Sequence, residues 1–181
     1  MIQGEFQKAR ALSRDDYLSL RRPYEPENIR LVIVAESPPK TGKYFYNPAG
    51  GISEPLFAAM MRQLECRPTT KDEGLREFQR RGWVLVDATY QPVDGLSEKE
   101  RAAVILRYYP LLRADLTAIL PDKSIPIILV KKNVCQILEP KLKEDGFNVL
   151  NKGSLVYFPS HSRQPDFHRQ FGKILRLLHQ N

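Results

Sequence analysis

Three groups of polar residues stand at the ends of apolar runs that are typical of buried β-strands. Glu36 and Ser37 follow the first run, Asp87 ends the second, and Ser160 and His161 come just after the last. Carboxylates, imidazoles and hydroxyls are the side chains with which enzymes move protons and position water. Their placement predicts a site for acid–base or water-activating chemistry, in which Glu36, Asp87 and His161 are the candidate catalytic residues.

Each of these residues also has a purely structural explanation. An aspartate such as Asp87 often caps the turn that follows a strand. A single histidine such as His161 is more often a surface hydrogen-bonding group than a catalyst. What favours a site is that three strand ends carry such residues. In a parallel sheet these ends lie along one edge, where ligands bind in open α/β folds.

The elements that position these residues are four short apolar segments, separated by stretches of helical periodicity. The segments lie near 30–35, 83–87, 125–130 and 154–158. Strands that alternate with helices form parallel sheets through right-handed crossovers. The sequence therefore predicts a three-layer α/β/α fold with a central four-stranded parallel sheet. Residues 1–181 should form a single domain, since the chain is short and shows no linker or repeat.

Helical spacing of apolar residues predicts the helices that cover this sheet. Pro55 stands near the first turn of one helix, and Ser97 with Glu100 forms a capping box for another. Pro110 implies a kink or a break in the long helix that begins near residue 98. The predicted helices are 5–22, 53–66, 69–81, 98–119, 133–145 and 165–179.

A loop rich in glycine, proline and aromatic residues follows the first polar pair. It contains Phe45, Tyr46 and Asn47, with Lys40 and Lys43 before them. Aromatic rings over a cleft can stack on a planar base, a contact that contributes roughly 1–3 kcal/mol per base. In the alternative, two of the three adjacent aromatics of this loop only pack it onto the core.

Composition and charge limit the classes of protein to which this chain can belong. No apolar run approaches the roughly 20 residues needed to cross a bilayer, and the first residues lack the layout of a signal peptide. We therefore expect a cytoplasmic monomer. The chain has only two cysteines and three histidines, which predicts no metal and no cofactor. Its net charge of +7 favours an anionic partner such as nucleic acid.

The order of these motifs resembles the uracil-DNA glycosylase superfamily. Residues 35–39 are similar to the motif after that family's first strand, especially to the Gly-Glu-Ala-Pro-Gly form of the iron–sulfur branch. Residues 158–162 are similar to the His-Pro-Ser-like motif after its last strand. Asp87 stands where the family often has an asparagine that reads the base edge. The resemblance implies a four-stranded α/β/α fold and a pocket for a base flipped out of DNA.

The chain departs from the family pattern within both motifs. Ala35 replaces the first glycine, Ser37 replaces the usual water-positioning aspartate, and Phe158 replaces the histidine of the last motif. His161 lies three residues further on and is the candidate substitute. The cysteines that hold the iron–sulfur cluster are absent. The resemblance therefore implies the fold more directly than the activity.

The resemblance also implies a role for each candidate residue. Glu36 or Asp87 would orient water or stabilise the sugar cation, and His161 would donate a proton to the leaving base. The base would stack on Phe45 or Tyr46. The residues implied to bind substrate are Ser37, Phe45, Tyr46, Asn47 and Ser160, and those implied to contact the nucleic-acid backbone are Lys40, Lys43, Ser162 and Arg163.

The function implied is hydrolysis of the N-glycosidic bond of a damaged or deaminated base in nucleic acid, most simply DNA. Two alternatives stay open. One is a member of the same fold that binds a nucleic acid or a nucleotide without cleaving it. The other is an unrelated α/β hydrolase that acts on a small molecule.

Overall fold

A parallel sheet of three buried strands forms the centre of the part of the chain that the structure describes. The structure is a computed structural model that describes residues 11–179. The strands are β1 (Leu31–Ala35), β2 (Trp83–Asp87) and β3 (Ile127–Leu129), and the helices are α1 (Arg14–Arg21), α2 (Pro55–Gln63), α3 (Lys71–Arg80), α4 (Glu98–Ile119), α5 (Lys132–Glu144) and α6 (Gln164–Leu175). Short 3-10 turns occupy Arg22–Tyr24, His161–Arg163 and Arg176–His179. The α/β class is thereby confirmed.

Strand order explains why the carboxyl end of β1 is the place for a site. β1 lies between β2 and β3, and both pairings are parallel. The chain leaves β1 toward β2 through α2 and α3, and then returns past β1 to β3 through α4. Right-handed crossovers in opposite directions place their helices on opposite faces of the sheet. The contacts agree, because α2 packs on α6 and α4 packs on α5. Such a reversal opens a crevice at the carboxyl ends of the strands.

The helices follow their sequence signals closely. Pro55 is the first residue of α2, and the capping box of Ser97 with Glu100 starts α4. The predicted helix at 5–22 is shorter. Ser13 caps it with Asp16, so that α1 begins at Arg14, and residues 5–10 of the prediction lie outside the described residues.

Pro110 does not break its helix, since α4 is continuous across it. Pro110 and Leu106, four residues earlier, are both exposed. Proline removes the N–H that would bond the carbonyl of the residue four positions back. On the solvent side of a helix, water can donate a hydrogen bond to that carbonyl instead. Of the two outcomes considered for Pro110, the break is wrong.

The predicted fourth strand at 154–158 is wrong, because a tight turn interrupts the chain beside β3. Ser154 donates its N–H to the carbonyl of Asn151 at 2.8 Å, and Lys152 and Gly153 both have positive φ, +47° and +82°. Positive φ at both central positions is the geometry of a type I′ turn. The turn interrupts the run, and the backbone next bonds beside β3 only at Val156, whose carbonyl accepts the N–H of Lys131.

The side chain of Asn151 replaces the backbone hydrogen bonds that a fourth strand would make with β3. The N–H of Leu129 donates to Asn151 Oδ1 at 2.8 Å, and Asn151 Nδ2 donates to the carbonyl of Leu129 at 3.1 Å. Backbone pairing next to β3 is limited to a parallel bridge between Ile127 and Val149 and a hydrogen bond from Lys131 to Val156. The backbone groups along this edge of β3 are thus hydrogen-bonded partly by the Asn151 side chain and partly by short stretches of backbone, without a regular neighbouring strand.

Within residues 11–179, no helix is long and apolar enough to span a bilayer.

Candidate functional site

A cavity of about 250 Å³ opens at the carboxyl end of β1 and β2. Four of the residues singled out from the sequence line it, namely Ser37, Lys43, Phe45 and Asp87. Phe158, which is exposed, also lines it, together with prolines and Leu56. The cavity is therefore mainly apolar, with a few polar groups set into its wall, as is usual for small-molecule sites.

Asp87 is the buried carboxyl group of this cavity. Its side chain is only 4% exposed, and its Oδ2 atom has no hydrogen-bond partner among the described residues. Burial raises the pKa of Asp87 to about 8; nearby Arg21 opposes this shift, and Asp115 and Glu36 add to it. At neutral pH the group is therefore largely an uncharged acid, which can both donate and accept a hydrogen bond.

Arg21, the cation whose charge acts on Asp87, is already engaged by other partners. Arg21 donates to both carboxylate oxygens of Asp115 at 2.7 Å and to the hydroxyl of Tyr90 at 2.9 Å. It also donates to Glu25 at 2.7 Å. A bidentate pair of this kind uses the planar guanidinium fully. Arg21 thus joins α1 to α4 and leaves Asp87 without a donor.

Glu36, in contrast, is surrounded by donors. Lys131 Nζ donates to its Oε2, Arg101 donates to the same oxygen at 3.3 Å, and Asn133 Nδ2 donates to its Oε1 at 2.5 Å. These partners come from α4 and from the start of α5, where the helix dipole also favours a negative charge. The carboxylate of Glu36 is thus paired at both oxygens and lies beside the cavity. Its predicted catalytic role stays a prediction.

Lys131 links Glu36 to the cavity, because it lines the cavity and pairs with Glu36. Its backbone has φ +87° and ψ 132°, a conformation that residues other than glycine rarely adopt. A hydrogen bond from its N–H to the carbonyl of Val156 at 2.8 Å holds it there. Strained residues of this kind concentrate at functional sites. Lys131 follows β3 as Glu36 follows β1, a strand-end signal that would have found it in the sequence.

The aromatic loop divides its three rings between cavity and core. Phe45 lines the cavity, and its ring meets the edge of Phe78 at a centroid distance of 5.2 Å. Tyr46 is completely buried, and its hydroxyl accepts the N–H of Leu85 at 2.7 Å. Tyr44 is buried and lines the cavity, but its hydroxyl has no hydrogen-bond partner within residues 11–179. Of the two aromatics proposed for stacking, Phe45 lines the cavity and Tyr46 does not.

A buried ion pair fixes this loop. Lys71 Nζ donates to Glu54 at 2.6 Å and to the carbonyl of Tyr44 at 2.8 Å. Glu54 in turn accepts the N–H of Gly51 at 2.9 Å. Desolvation lowers the pKa of Lys71, while Glu54 opposes that shift. Both ends of the loop are thereby attached to α3, so the cavity wall is formed before any ligand arrives.

The last motif lies beside the cavity but contributes only Phe158 to its lining. Ser160, His161, Ser162 and Arg163 are outside the cavity wall, and His161 is exposed in its 3-10 turn. Gln164 Nε2 donates to the carbonyls of Pro55 and Pro159 and holds the segment next to α2. Arg163 pairs with Asp166 at 2.9 Å. The structure therefore does not bring His161 together with Asp87 in one cleft.

Of the remaining predicted residues, Lys43 lines the cavity, whereas Lys40 and Asn47 do not. Lys40 and Lys43 are exposed, and the backbone N–H of Lys40 donates to Asp94 at 2.7 Å. Asn47 closes a turn by accepting the N–H of Ala49 at 3.1 Å. Within the described part of the chain, no cluster of three or more histidine, cysteine or acidic residues is arranged to hold a metal ion.

No protein-family model and no curated protein matches this chain. What the site can do therefore follows from its geometry: an apolar, preformed cavity with an uncharged acid in its wall, an aromatic ring on its side and lysines at its rim. Such a cavity can hold a flat, neutral ring and bind an attached anion outside it.

Proposed function

We propose that this chain is a uracil-DNA glycosylase-like protein that binds nucleic acid by taking one unpaired base into the cavity. The observation that carries the proposal is Asp87, a buried and unpartnered acid in the wall of the cavity. It occupies the position at which the resembled family reads the base edge. In this proposal, the chain beside β3, at 148–156, corresponds to the family's fourth strand.

The size of the cavity supports a single base as the ligand. A volume near 250 Å³ is close to the lower end of the range for small-molecule pockets, roughly 300–1,000 Å³. It therefore suits a single small ring such as a pyrimidine. Phe45 and Phe158 supply aromatic surface for stacking, which all bases share.

The charges at the rim support a nucleic acid over a free base. Lys43 lines the mouth and is exposed, with Lys40 exposed three residues before it. The net charge of +7 adds a general attraction to polyanions. Lysines placed outside a base pocket would bind the phosphates next to an extruded nucleotide.

Hydrolysis of the N-glycosidic bond is the reaction that we propose for this pocket. Departure of a base requires stabilisation of its developing negative charge. Asp87, as an uncharged acid, would donate a hydrogen bond to the leaving base, and the nearby cation Lys131 would favour the negative charge.

A binding protein without cleavage is the second candidate, and the state of Glu36 favours it. Its carboxylate already accepts hydrogen bonds from Lys131, Arg101 and Asn133. The two oxygens of this carboxylate are already engaged with protein donors, which leaves less of their acceptor capacity for a water molecule.

Binding is tested by fluorescence anisotropy with single-stranded and duplex oligonucleotides across a series of salt concentrations. We expect affinity that falls with salt, is reduced about tenfold or more by Phe45→Ala and is weakened by Lys43→Ala. Arg30→Ala is the matched control, because Arg30 lies at the opposite end of β1. Absence of any oligonucleotide affinity, or equal losses for Arg30→Ala and Lys43→Ala, would refute the proposal.

Cleavage is tested separately, with oligonucleotides that contain uracil, hypoxanthine or xanthine. Abasic sites are revealed by alkaline strand scission on a gel. Base release that is lost in Asp87→Ala supports the hydrolase. Binding without release on all three substrates supports the second candidate.

A further inference from the structure

A second and larger cavity lies at the opposite end of the sheet, where the strands begin. Its volume is about 590 Å³, which falls within the range of small-molecule pockets, roughly 300–1,000 Å³. The first residues of β1 and β2, Leu31 and Trp83, line it, as does Pro126 just before β3. It shares no lining residue with the cavity at the carboxyl ends of the strands. We call it the amino-edge cavity.

The wall of the amino-edge cavity is mainly apolar. Leucines from the end of α2, from α6, from the 3-10 turn after α6 and from the chain beside β3 meet the tryptophan at the start of β2. The apolar lining residues are Leu31, Leu64, Trp83, Pro126, Leu150, Leu175, Leu177 and Leu178. Trp83 is fixed in the wall, because its ring packs against Phe78 and Phe171 at centroid distances of 5.8 and 6.2 Å. An apolar group that enters this cavity is therefore removed from water, which is favourable.

The neutral polar residues of the lining already have partners within the protein. Gln63 Nε2 lies 2.9 Å from Nδ1 of His168, and Asn148 Nδ2 donates to the carbonyl of Ser124 at 2.7 Å. The hydroxyl of Ser124 donates to Asp122 at 2.7 Å. A sugar or a nucleoside would exchange many hydrogen bonds to water for few to this wall, which is unfavourable. The cavity therefore favours a ligand with an apolar body.

Positive charge stands at one side of this cavity. Arg30 and Arg81 line it, and no aspartate or glutamate does. Arg81 shares the carboxylate of Glu77 with Arg80. The side chain of Arg30 is exposed and has no hydrogen bond or ion pair with the described residues. The N–H of Arg30 donates to the carbonyl of Gly82 at 2.7 Å, which places the two arginines side by side. A free guanidinium of this kind binds a carboxylate through two parallel hydrogen bonds.

We propose that the amino-edge cavity binds a molecule with an apolar chain that ends in a single carboxylate, that is, a fatty acid. The chain lies against Trp83 and the leucines, and the carboxylate pairs with Arg30. The described residues of the lining include no carboxylate, histidine or cysteine, so the site is one of binding and not of reaction. The inference goes beyond the proposed function, because the two cavities share neither residues nor ligand.

The test uses the fluorescence of Trp83, which is the only tryptophan of the chain and lines this cavity. The full chain is titrated with decanoate, with the uncharged decanol and with the shorter octanoate, all below the concentrations at which they form micelles. We expect a saturable change in emission with decanoate and at least tenfold weaker binding of decanol. Octanoate should bind roughly tenfold more weakly than decanoate, because it buries two fewer methylene groups. Absence of a saturable change, or equal binding of decanol and decanoate, would overturn the inference.

Two variants locate the ligand. Arg30→Gln should weaken decanoate binding at least tenfold and leave decanol binding unchanged, with Arg107→Gln as the matched control, since Arg107 is exposed on α4 outside the lining. Leu178→Glu places a carboxylate in the apolar wall and should weaken binding of both ligands at least tenfold. Its control is Leu106→Glu, because Leu106 is an exposed leucine on α4. Circular dichroism checks that each variant is folded.

The variants also decide between this cavity and adsorption on the protein surface. Wild-type affinity for decanoate in folded Arg30→Gln or in folded Leu178→Glu would overturn the inference. A loss in Leu106→Glu as large as that in Leu178→Glu would show that decanoate binds to exposed apolar surface in general, and would overturn it as well.

Discussion

Glu36 and Asp87 are two buried carboxyl groups at the ends of neighbouring strands, and they differ in their hydrogen-bond partners. Ala35, just before Glu36, is the register partner of Asp87, and the two acids are 7% and 4% exposed. Glu36 accepts hydrogen bonds from three side chains, whereas Asp87 Oδ2 accepts none from the described residues. Burial is similar, so what distinguishes the two acids is their hydrogen-bond partners.

This difference indicates which of the two acids is available for chemistry. A paired carboxylate such as Glu36 stabilises the junction of α4 and α5 with the sheet. An unpaired acid such as Asp87 destabilises the folded protein at neutral pH, and it is retained in a cavity. Functional groups are often held at such a cost to stability.

The largest expected effect is on the pH dependence of stability in Asp87→Asn. Folded Asp87 keeps its proton to about pH 8, whereas in the unfolded chain it loses the proton near its ordinary value of 3.8. Between these values the unfolded state binds fewer protons, so the free energy of unfolding of the wild type falls as the pH rises. The asparagine side chain of the variant does not titrate. We expect the variant to gain about 4 kcal/mol relative to the wild type between pH 5 and pH 8, measured by urea unfolding. A constant difference across this range would contradict the unpaired state of Asp87.

Removing the charge of Glu36 should have the opposite sign. Glu36→Gln leaves Lys131 and Arg101 without their counter-ion, and both cations are partly buried. We expect a loss of about 2–3 kcal/mol in the free energy of unfolding at pH 7. The double variant Glu36→Gln/Lys131→Met should lose less than the sum of the single changes, because it removes both charges. Strict additivity would show that the pair is not coupled.

The same contrast recurs between Tyr46 and Tyr44. Tyr46→Phe leaves the buried N–H of Leu85 without an acceptor, and we expect a loss of about 2 kcal/mol. Tyr44→Phe removes a hydroxyl that has no partner within the described residues, and its stability should equal or slightly exceed that of the wild type. Thermal unfolding of the two variants side by side checks this pair. Equal losses would mean that the hydroxyl of Tyr44 is satisfied inside the protein.

The smallest effect is expected for Arg101→Met. Arg101 reaches Glu36 at 3.3 Å and is partly exposed, and contacts of this kind contribute little. We expect a loss of less than about 1 kcal/mol in urea unfolding. A loss as large as that of Glu36→Gln would show that Arg101, not Lys131, is the principal partner of the carboxylate.

Local signals in the sequence predicted most of the secondary structure correctly. The run from Leu31 to Ala35, the capping box at Ser97 and the proline at position 55 each act within a few residues, and each corresponds to an observed strand or helix end. The fourth strand failed because an apolar run at 154–158 says nothing about the turn before it. There Asn151 bonds β3 with its side chain instead of its backbone.

The sequence by itself determined the α/β class, the strands that end in Glu36 and Asp87, and the aromatic loop, because hydrophobic periodicity and turn residues act over short distances. Only the tertiary structure decided which groups meet. In the folded protein, Glu36 contacts Lys131, Arg101 and Asn133. Arg21 pairs with Asp115, and His161 lies outside the cavity wall. Pairing of distant charges depends on how the helices pack on the sheet. For that reason the state of Asp87, on which the proposed function rests, is visible only in the folded protein.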